Sequence, residues 1–345
     1  MNVPRNSDIG VTQAASGRAN LPGLRVLGFP GAFVAWGVEC VRQILASNGY
    51  APQISPLDQV SPDSDDAAAD AAVAVHILLG HGPVMTPAGT MASAKLPTIV
   101  FLDTPAWPVH ELLSSGQDPM DAVRMLTATL APLAAVLRED GVLLLRRTRE
   151  MDLSATQSAI ASHLSATRPL PSGVLAACAT IDTSSPPPQL VGQALSLTRQ
   201  VLTPLTNLVT GAAHDTLVWP LACFYSGDYP GELASPLMEV VGPARVLYYG
   251  PYFHLPRGRW RAEVELFVSG TMRDKMLAID VFAGEELARR QFRPADGGLL
   301  LVSLSFVVDR AEDRLEMRVW LLAGAIEGYL GLRHVSLHPV EGEDQ

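Results

Sequence analysis

Apolar and polar positions fall into two textures along the chain. Between residues 24 and 165, short runs that are apolar at nearly every position alternate with longer stretches at helical spacing. Leu24–Gly28, Ala71–Gly80, Thr98–Leu102 and Val142–Leu145 are of the first kind, and such runs predict strands covered on both faces. Ala35–Asn48, Asp118–Glu139 and Leu153–Leu164 predict helices, with Gly49 closing the first and Asp152 or Ser154 opening the last. Pro52–Asp70, rich in Pro, Asp and Ser, reads as a loop. Strand and helix in alternation predict a parallel sheet with helices on both sides, an α/β architecture.

The second texture follows a break over Thr167–Pro188 that ends in the triplet Pro186-Pro187-Pro188. Gln189–Thr210 has the spacing of one long helix, kinked by Pro204, and is expected to bridge two domains or support a dimer. From Thr216 the pattern turns to period two. Trp260, Ala262, Val264, Leu266 and Val268 share one face, with Arg261, Glu263 and Glu265 on the other. Further strands are predicted at Met276–Val281, Leu299–Val308, Arg314–Leu321 and Leu332–Leu337, which together predict an antiparallel, jelly-roll-like β-sandwich. The expected division is a disordered lead over 1–22, an α/β domain over 23–168, a Pro-rich linker and bridging helix over 169–215, the sandwich over 216–340 and an acidic tail over 341–345.

Composition narrows the partners. The 345 residues are 48% hydrophobic and carry 25 basic against 35 acidic residues, a net charge of −10 that argues against nucleic acid or an anionic membrane as the partner. Only Lys95 and Lys275 are lysines, so a lysine-based grip on phosphate has little to draw on. Cys40, Cys178 and Cys223 are widely spaced and lack a CxxC motif, which predicts buried thiols and no disulfide frame. The lead has no apolar signal core and no apolar run reaches ~18 residues. No transmembrane segment and a cytoplasmic location are therefore expected.

Chemistry should gather where the first strand meets the first helix, a junction that cradles phosphate in many α/β proteins. Here the turn runs Gly28-Phe29-Pro30-Gly31-Ala32-Phe33-Val34-Ala35-Trp36, without Lys, Arg, Ser or Thr. With TIVFLDTPAWPVHELL and VLLLRRTREMDLSATQSAIASHL following in order, residues 24–165 resemble the sulfotransferase branch of P-loop proteins. That resemblance implies a nucleotide held by Arg, Lys and hydroxyl groups. Asp103 stands where the family has its Arg and Glu111 near its Ser. A carboxylate close to a phosphate is repelled by ~4 kcal/mol per charge pair at an effective dielectric of ~20. No nucleotide cofactor is expected. Gly28, Pro30, Gly31 and Ala32 read as a vestigial loop filled by Phe33 and Trp36, with no catalytic residue and no metal ligand assigned. The absence of GKS or GKT argues equally against a nucleoside triphosphate.

The C-terminal stretch YYGPYFHLPRGRW, with AIDVF, RLEMRVW and EGYLGLRHVSL after it, resembles the β-sandwich of carbohydrate-binding modules. A sugar platform is expected from Tyr248, Tyr252, His254 and Trp260, although Trp260 and Tyr249 could equally be core. Glu263 and Glu265 read as a solvated face and His76 as a core residue. His81 and His110 lie near strand ends, where a general base is conceivable but no nucleophile motif accompanies it. His334 and His338 lack a third metal ligand. Arg146, Arg147 and Arg149 form a basic run that either holds an anion or pairs with Glu150 and Asp152.

These expectations converge on a non-catalytic accessory or binding protein of bacterial polysaccharide synthesis, a pseudoenzyme. Its partner is a carbohydrate or another protein of such a system, with a homo-oligomer as an option. Two alternatives stand beside it. One is an active sulfo- or glycosyl-type transferase with an atypical donor site at Arg146 and Arg147. The other is a structural assembly subunit that uses the Gln189–Thr210 helix and a Phe33/Trp36 patch.

Overall fold

The computed structural model describes residues 23–56, 74–80, 96–167, 170, 180–182, 185–212 and 216–340. The lead, the tail, His81 and Cys178 lie outside the described residues.

Five strands form a wholly parallel sheet: β1 (Gly23–Gly28), β2 (Ala51–Pro56), β3 (Ala74–Gly80), β4 (Thr98–Leu102) and β5 (Val142–Arg146), in the order β2-β3-β1-β4-β5. β2 corrects the expectation of a loop from Pro52. Its run APQISP is short and carries two prolines, so periodicity hides it, yet it pairs with β3 along its whole length at the sheet edge, where proline is tolerated. The helices are α1 (Ala32–Ser47), α2 (Ala106–Ser114), α3 (Pro119–Val136) and α4 (Leu153–Thr167). α3 starts where Asp118 accepts hydrogen bonds from the N–H groups of Met120 (2.8 Å) and Asp121 (3.0 Å), with Pro119 in the first turn.

The two sheet faces belong to different apolar clusters. Leu24, Val26, Ile99 and Phe101 pack under α1 and α4, whereas Leu27, Val100 and Leu102 pack under α3 and join the core of the C-terminal half. Phe101 is fully buried and meets Phe33 and Trp36 edge-on at 5.5 and 6.5 Å. The approach is so close that a Cβ at Gly37 would lie 2.3 Å from the Phe101 ring.

The long helix is split into α5 (Gly192–Leu197) and α6 (Thr203–Val209) by a π turn over Thr198–Leu202. Pro204 lacks the N–H that α-helical register needs and its ring crowds the preceding turn. The expected kink therefore takes the form of a widened turn just upstream.

The sandwich comprises β6 (Leu217–Pro220), β7 (Tyr225–Ser226), β8 (Met238–Glu239), β9 (Arg245–Phe253), β10 (Gly258–Val268), β11 (Leu277–Phe282), β12 (Glu286–Phe292), β13 (Gly298–Val308), β14 (Leu315–Leu321) and β15 (Tyr329–Val340). One sheet runs β13-β10-β15-β6, with β8 also pairing with β15, and the other runs β12-β11-β14-β9-β7. All pairings are antiparallel. The face predicted for β10 is the inner one, since Trp260, Ala262, Val264, Leu266 and Val268 are all buried. No helix among the described residues is long and apolar enough to cross a membrane.

Candidate functional site

In an open parallel sheet, ligands enter where the connections leave in opposite directions, outside the carboxyl ends of the strands. Here that point lies beyond β1 and β4, so it is bounded by Gly28–Gly31 and Asp103–Thr104. The crevice holds an internal ligand. The carboxylate of Glu111 accepts from the Ala32 N–H at 3.2 and 3.3 Å, on the first residue of α1, where a phosphate would sit. A Cβ at Gly31 would lie 2.5 Å from that carboxylate, so glycine is required for the approach. The helix dipole and free N–H groups that favour an anion are met by the chain's own side chain.

The loop is thus filled, but not as expected. Phe33 and Trp36 are buried against Phe101 beneath the loop and offer no surface patch. Ala32 is exposed, Gly28 is buried, and Pro30 and Gly31 are half-buried. Asp103 does not face solvent either. It pairs with Arg147 at 3.1 Å, both side chains less than 10% exposed. The Arg147 guanidinium lies 4.1 Å from the Trp107 ring centre and donates to the Asp182 carbonyl at 2.6 Å. Arg147 is therefore committed to Asp103, Trp107 and Asp182 on the β4–β5 side of the crevice and is not a free anion grip. Burial pushes the Asp103 carboxyl up to about 6 against the opposing pull of Arg147. Arg146, Arg149 and His110 are exposed.

In the sandwich, three of the four expected platform residues are core. Tyr248 is fully buried, its hydroxyl donating to the Leu330 carbonyl at 2.9 Å. Trp260 is 2% exposed and donates to the Pro256 carbonyl at 3.0 Å. His254 is 4% exposed, and burial, with Arg314 nearby, lowers its pKa to about 4. The inward direction of Trp260 follows from the period-two pattern of β10. Glu263 faces Arg261 and His338, and Glu265 faces Arg333 at 3.0 Å. Among the described residues, no group of three His, Cys, Asp or Glu side chains could hold a metal ion.

Tyr252 alone of the four reaches the surface, and it stands at the end of a larger array. A bulge between Leu315 and Glu316 and a left-handed backbone at Tyr252 (φ 68) break the alternation of β9. The ring therefore turns to the outer face, where its hydroxyl donates to Glu316 at 3.0 Å. Burial and the Glu316 carboxylate both raise its pKa. On that face, five residues on five neighbouring strands fall in one cross-strand row: Arg289, Asp280, Arg318, Tyr249 and Tyr225. Asp280 is fully buried between Arg289 and Arg318. Arg318 grips it at 2.7 and 3.1 Å, Trp320 Nε1 donates to it at 2.9 Å, and Arg289 stands 3.6 Å away. Arg318 lies over Phe282 (4.4 Å) and Trp320 (5.2 Å). At the other end Tyr225 stacks on Tyr249 at 5.5 Å, and Arg124 of α3 lies over Tyr225 and Tyr252 while donating to the Tyr225 hydroxyl at 2.7 Å.

Sequence reasoning missed Asp280, Arg318, Trp320, Arg289 and Tyr225. The alternation of Asp280, Arg318 and Trp320 with Leu277, Ile279, Val281, Met317, Val319 and Leu321 was available as a signal. It marks two faces but gives no strand order, and the row exists only through the order β12-β11-β14-β9-β7.

No protein-family pattern matches the chain and no curated protein is similar to it in sequence. Solved structures similar to part of it include the CBM36-1 domain of a multidomain xylanase from the hindgut metagenome of Trinervitermes trinervoides (9% identity, 37% of this chain and 100% of that one, TM-score 0.26). A carbohydrate-binding module CBM36 in complex with calcium and xylotriose is 13% identical over 35% of this chain and 98% of that one, with a TM-score of 0.26. A CBM61 in complex with beta-1,4-galactotriose is 12% identical over 35% and 91%, with a TM-score of 0.25.

Proposed function

We propose that this is a non-catalytic binding protein whose β12-β11-β14-β9-β7 sheet presents its outer face to a neutral glycan. The observation that carries the reading is the cross-strand row with its flanking rings. Its charges have partners on the same face: Asp280 is held by Arg318 and Arg289, Arg289 also pairs with Glu286, and Glu316 accepts from the Tyr252 hydroxyl. What such a surface offers is a set of fixed polar groups beside half-buried Phe282, Trp320, Tyr249 and Tyr252. Rings meet the C–H faces of sugars, and oriented polar groups meet their hydroxyls. Among the described residues, an anionic ligand would find no guanidinium there without a carboxylate partner, since Arg318 and Arg289 hold Asp280 and Arg124 pairs with Asp121.

The α/β half is read as a non-catalytic scaffold. The strand order, the switch point and the Glu111 carboxylate on the α1 N-terminus support a former phosphate-binding unit of sulfotransferase type whose anion site is now filled from within. An accessory role in polysaccharide synthesis fits this pairing of a retired catalytic scaffold with a glycan face.

A glycan array probed with the full chain, followed by calorimetry on the best oligosaccharide, tests the reading. Trp320→Ala and Tyr252→Ala should each weaken binding by at least ~10-fold, the loss of one stacked ring, with far-UV circular dichroism unchanged. A well-folded chain that retains no glycan, or a Trp320→Ala variant that binds as the parent does, overturns it.

A further inference from the structure

A second site lies on the other sheet. A cleft of about 1160 Å³ opens where β5, the C-terminal turn of α3 and α6 face the start of β10 and the end of β15. Its size is slightly above the ~300–1,000 Å³ usual for small-molecule clefts, so a whole small molecule fits within it. Two chemistries line it. Leu137, Val142, Leu144 and Leu208 are half-buried and form an apolar wall. Arg138, Arg257, Arg259 and Arg261 are exposed at its rim, and His338 lies beside them.

The cations are organised by the sheet. Arg259 and Arg261 are two residues apart on β10, so they leave the same face about 7 Å apart. Arg261 lies opposite His338 on β15. Glu263 stands 3.4 Å from Arg261 and 3.6 Å from His338, and no carboxylate is among the residues lining the cleft. Among the described residues no ion pair engages Arg138, Arg257 or Arg259. In a chain of net charge −10, three guanidinium ions without an ion-pair partner in a walled cleft, those of Arg138, Arg257 and Arg259, are a local inversion of potential. Guanidinium groups bind phosphate and carboxylate in a planar, two-pronged geometry.

We propose that this cleft binds a small anionic amphiphile, with a phosphate or carboxylate head on the arginine rim and an apolar body along the leucine and valine wall. The site is independent of the glycan face, so either can fail without the other.

Titration of the full chain with alkyl phosphates below their micelle concentration, read by calorimetry, tests it. Affinity should rise about fourfold per added methylene from hexyl to decyl phosphate, as the wall covers more chain. Arg257→Gln/Arg259→Gln should weaken decyl phosphate by about 100-fold, ten per guanidinium lost, without changing the thermal midpoint. Decanoate should compete for the same site, while octyl glucoside, which shares the apolar part of octyl phosphate but not its charge, should bind at least ~10-fold more weakly than octyl phosphate. Affinity that ignores chain length, or orthophosphate binding as tightly as decyl phosphate, overturns the apolar half. An unaltered double variant overturns the cationic half. Binding that appears only after deletion of Glu341–Gln345, with its three carboxylates, would assign the cleft to that acidic segment instead.

Discussion

Two Arg–Asp–Trp groups occupy the two halves of the molecule and do opposite things. In the crevice, Arg147 joins Asp103 and lies on Trp107, and both charged side chains are less than 10% exposed. On the sandwich face, Arg318 joins Asp280 and lies beside Trp320, with Asp280 fully buried and Arg318 20% exposed. The first group seals a place where strands converge and a ligand would enter. The second is laid flat on a sheet and fixes the surface around it. The same three residue types seal a crevice in one half and stiffen a sheet face in the other, and the difference is whether the cation's outer side meets protein or solvent.

Substitution of the arginines separates the two most strongly. Arg147→Ala leaves Asp103 buried and unpaired and is expected to cost about 3–5 kcal/mol in urea unfolding. Arg318→Ala leaves Asp280 with Trp320 Nε1 and Arg289 and with access to water, and should cost about 1–3 kcal/mol. Equal losses would erase the contrast between a sealed and a surface group.

The pH dependence of stability is the next largest effect, and here the halves pull in opposite directions. Folded Asp103 titrates at about 6 against 3.8 unfolded, so between these values the folded state holds the extra proton and stability falls as pH rises. Folded His254 titrates at about 4 against 6.5, so the unfolded state holds the extra proton and stability rises with pH. Each gap is worth about 3 kcal/mol at most. Between pH 4 and 6, Asp103→Asn should steepen the rise of stability with pH, and His254→Asn should turn it into a fall. Three superimposable profiles would remove both groups from the balance.

Glu111→Ala strips the α1 N-terminus of its internal acceptor and should cost about 0.5–2 kcal/mol, the range of a lost helix cap. Glu111→Gln keeps an acceptor but not the charge and should fall between the two. A Glu111→Ala chain as stable as the parent would show that the exposed end of α1 is satisfied by water alone. A loss of similar size, about 1–2 kcal/mol, is expected for Trp320→Ala, which removes a half-buried ring and the hydrogen bond from its Nε1 to the buried Asp280 carboxylate. Its larger consequence is expected for the proposed glycan binding, and a loss of stability well beyond that range would mark it as core.

The architecture was legible where periodicity was clean. β1, β4 and β5 were readable from apolar runs, and the inward face of β10 from its alternation. The same alternation placed Trp260 in the core, so the chemistry of an aromatic ring was a poorer guide to its position than the parity of its neighbours. β2 was hidden because edge position, not composition, is what permits its prolines. Asp103 and Glu111 were recognised as hostile to phosphate, but as repelling charges. That one would occupy the anion site and the other would neutralise Arg147 depends on side-chain reach within the crevice. The cross-strand row was hidden for a related reason, since strands distant in sequence become neighbours only through the order of the sheet.

That order also bears on how the chain is made. β15 lies between β10 and β6, yet it is the last of the three to be synthesised. Roughly 60 residues separate the end of β10 from Tyr329, so at ~5–20 residues per second a growing chain waits about 3–12 s with the facing edges of β6 and β10 unpaired. During that interval Trp219 and Trp260, both buried in the finished molecule, lack their covering strand. The sandwich is thus an assembly completed late, and its most vulnerable moment is the gap in the middle of a sheet.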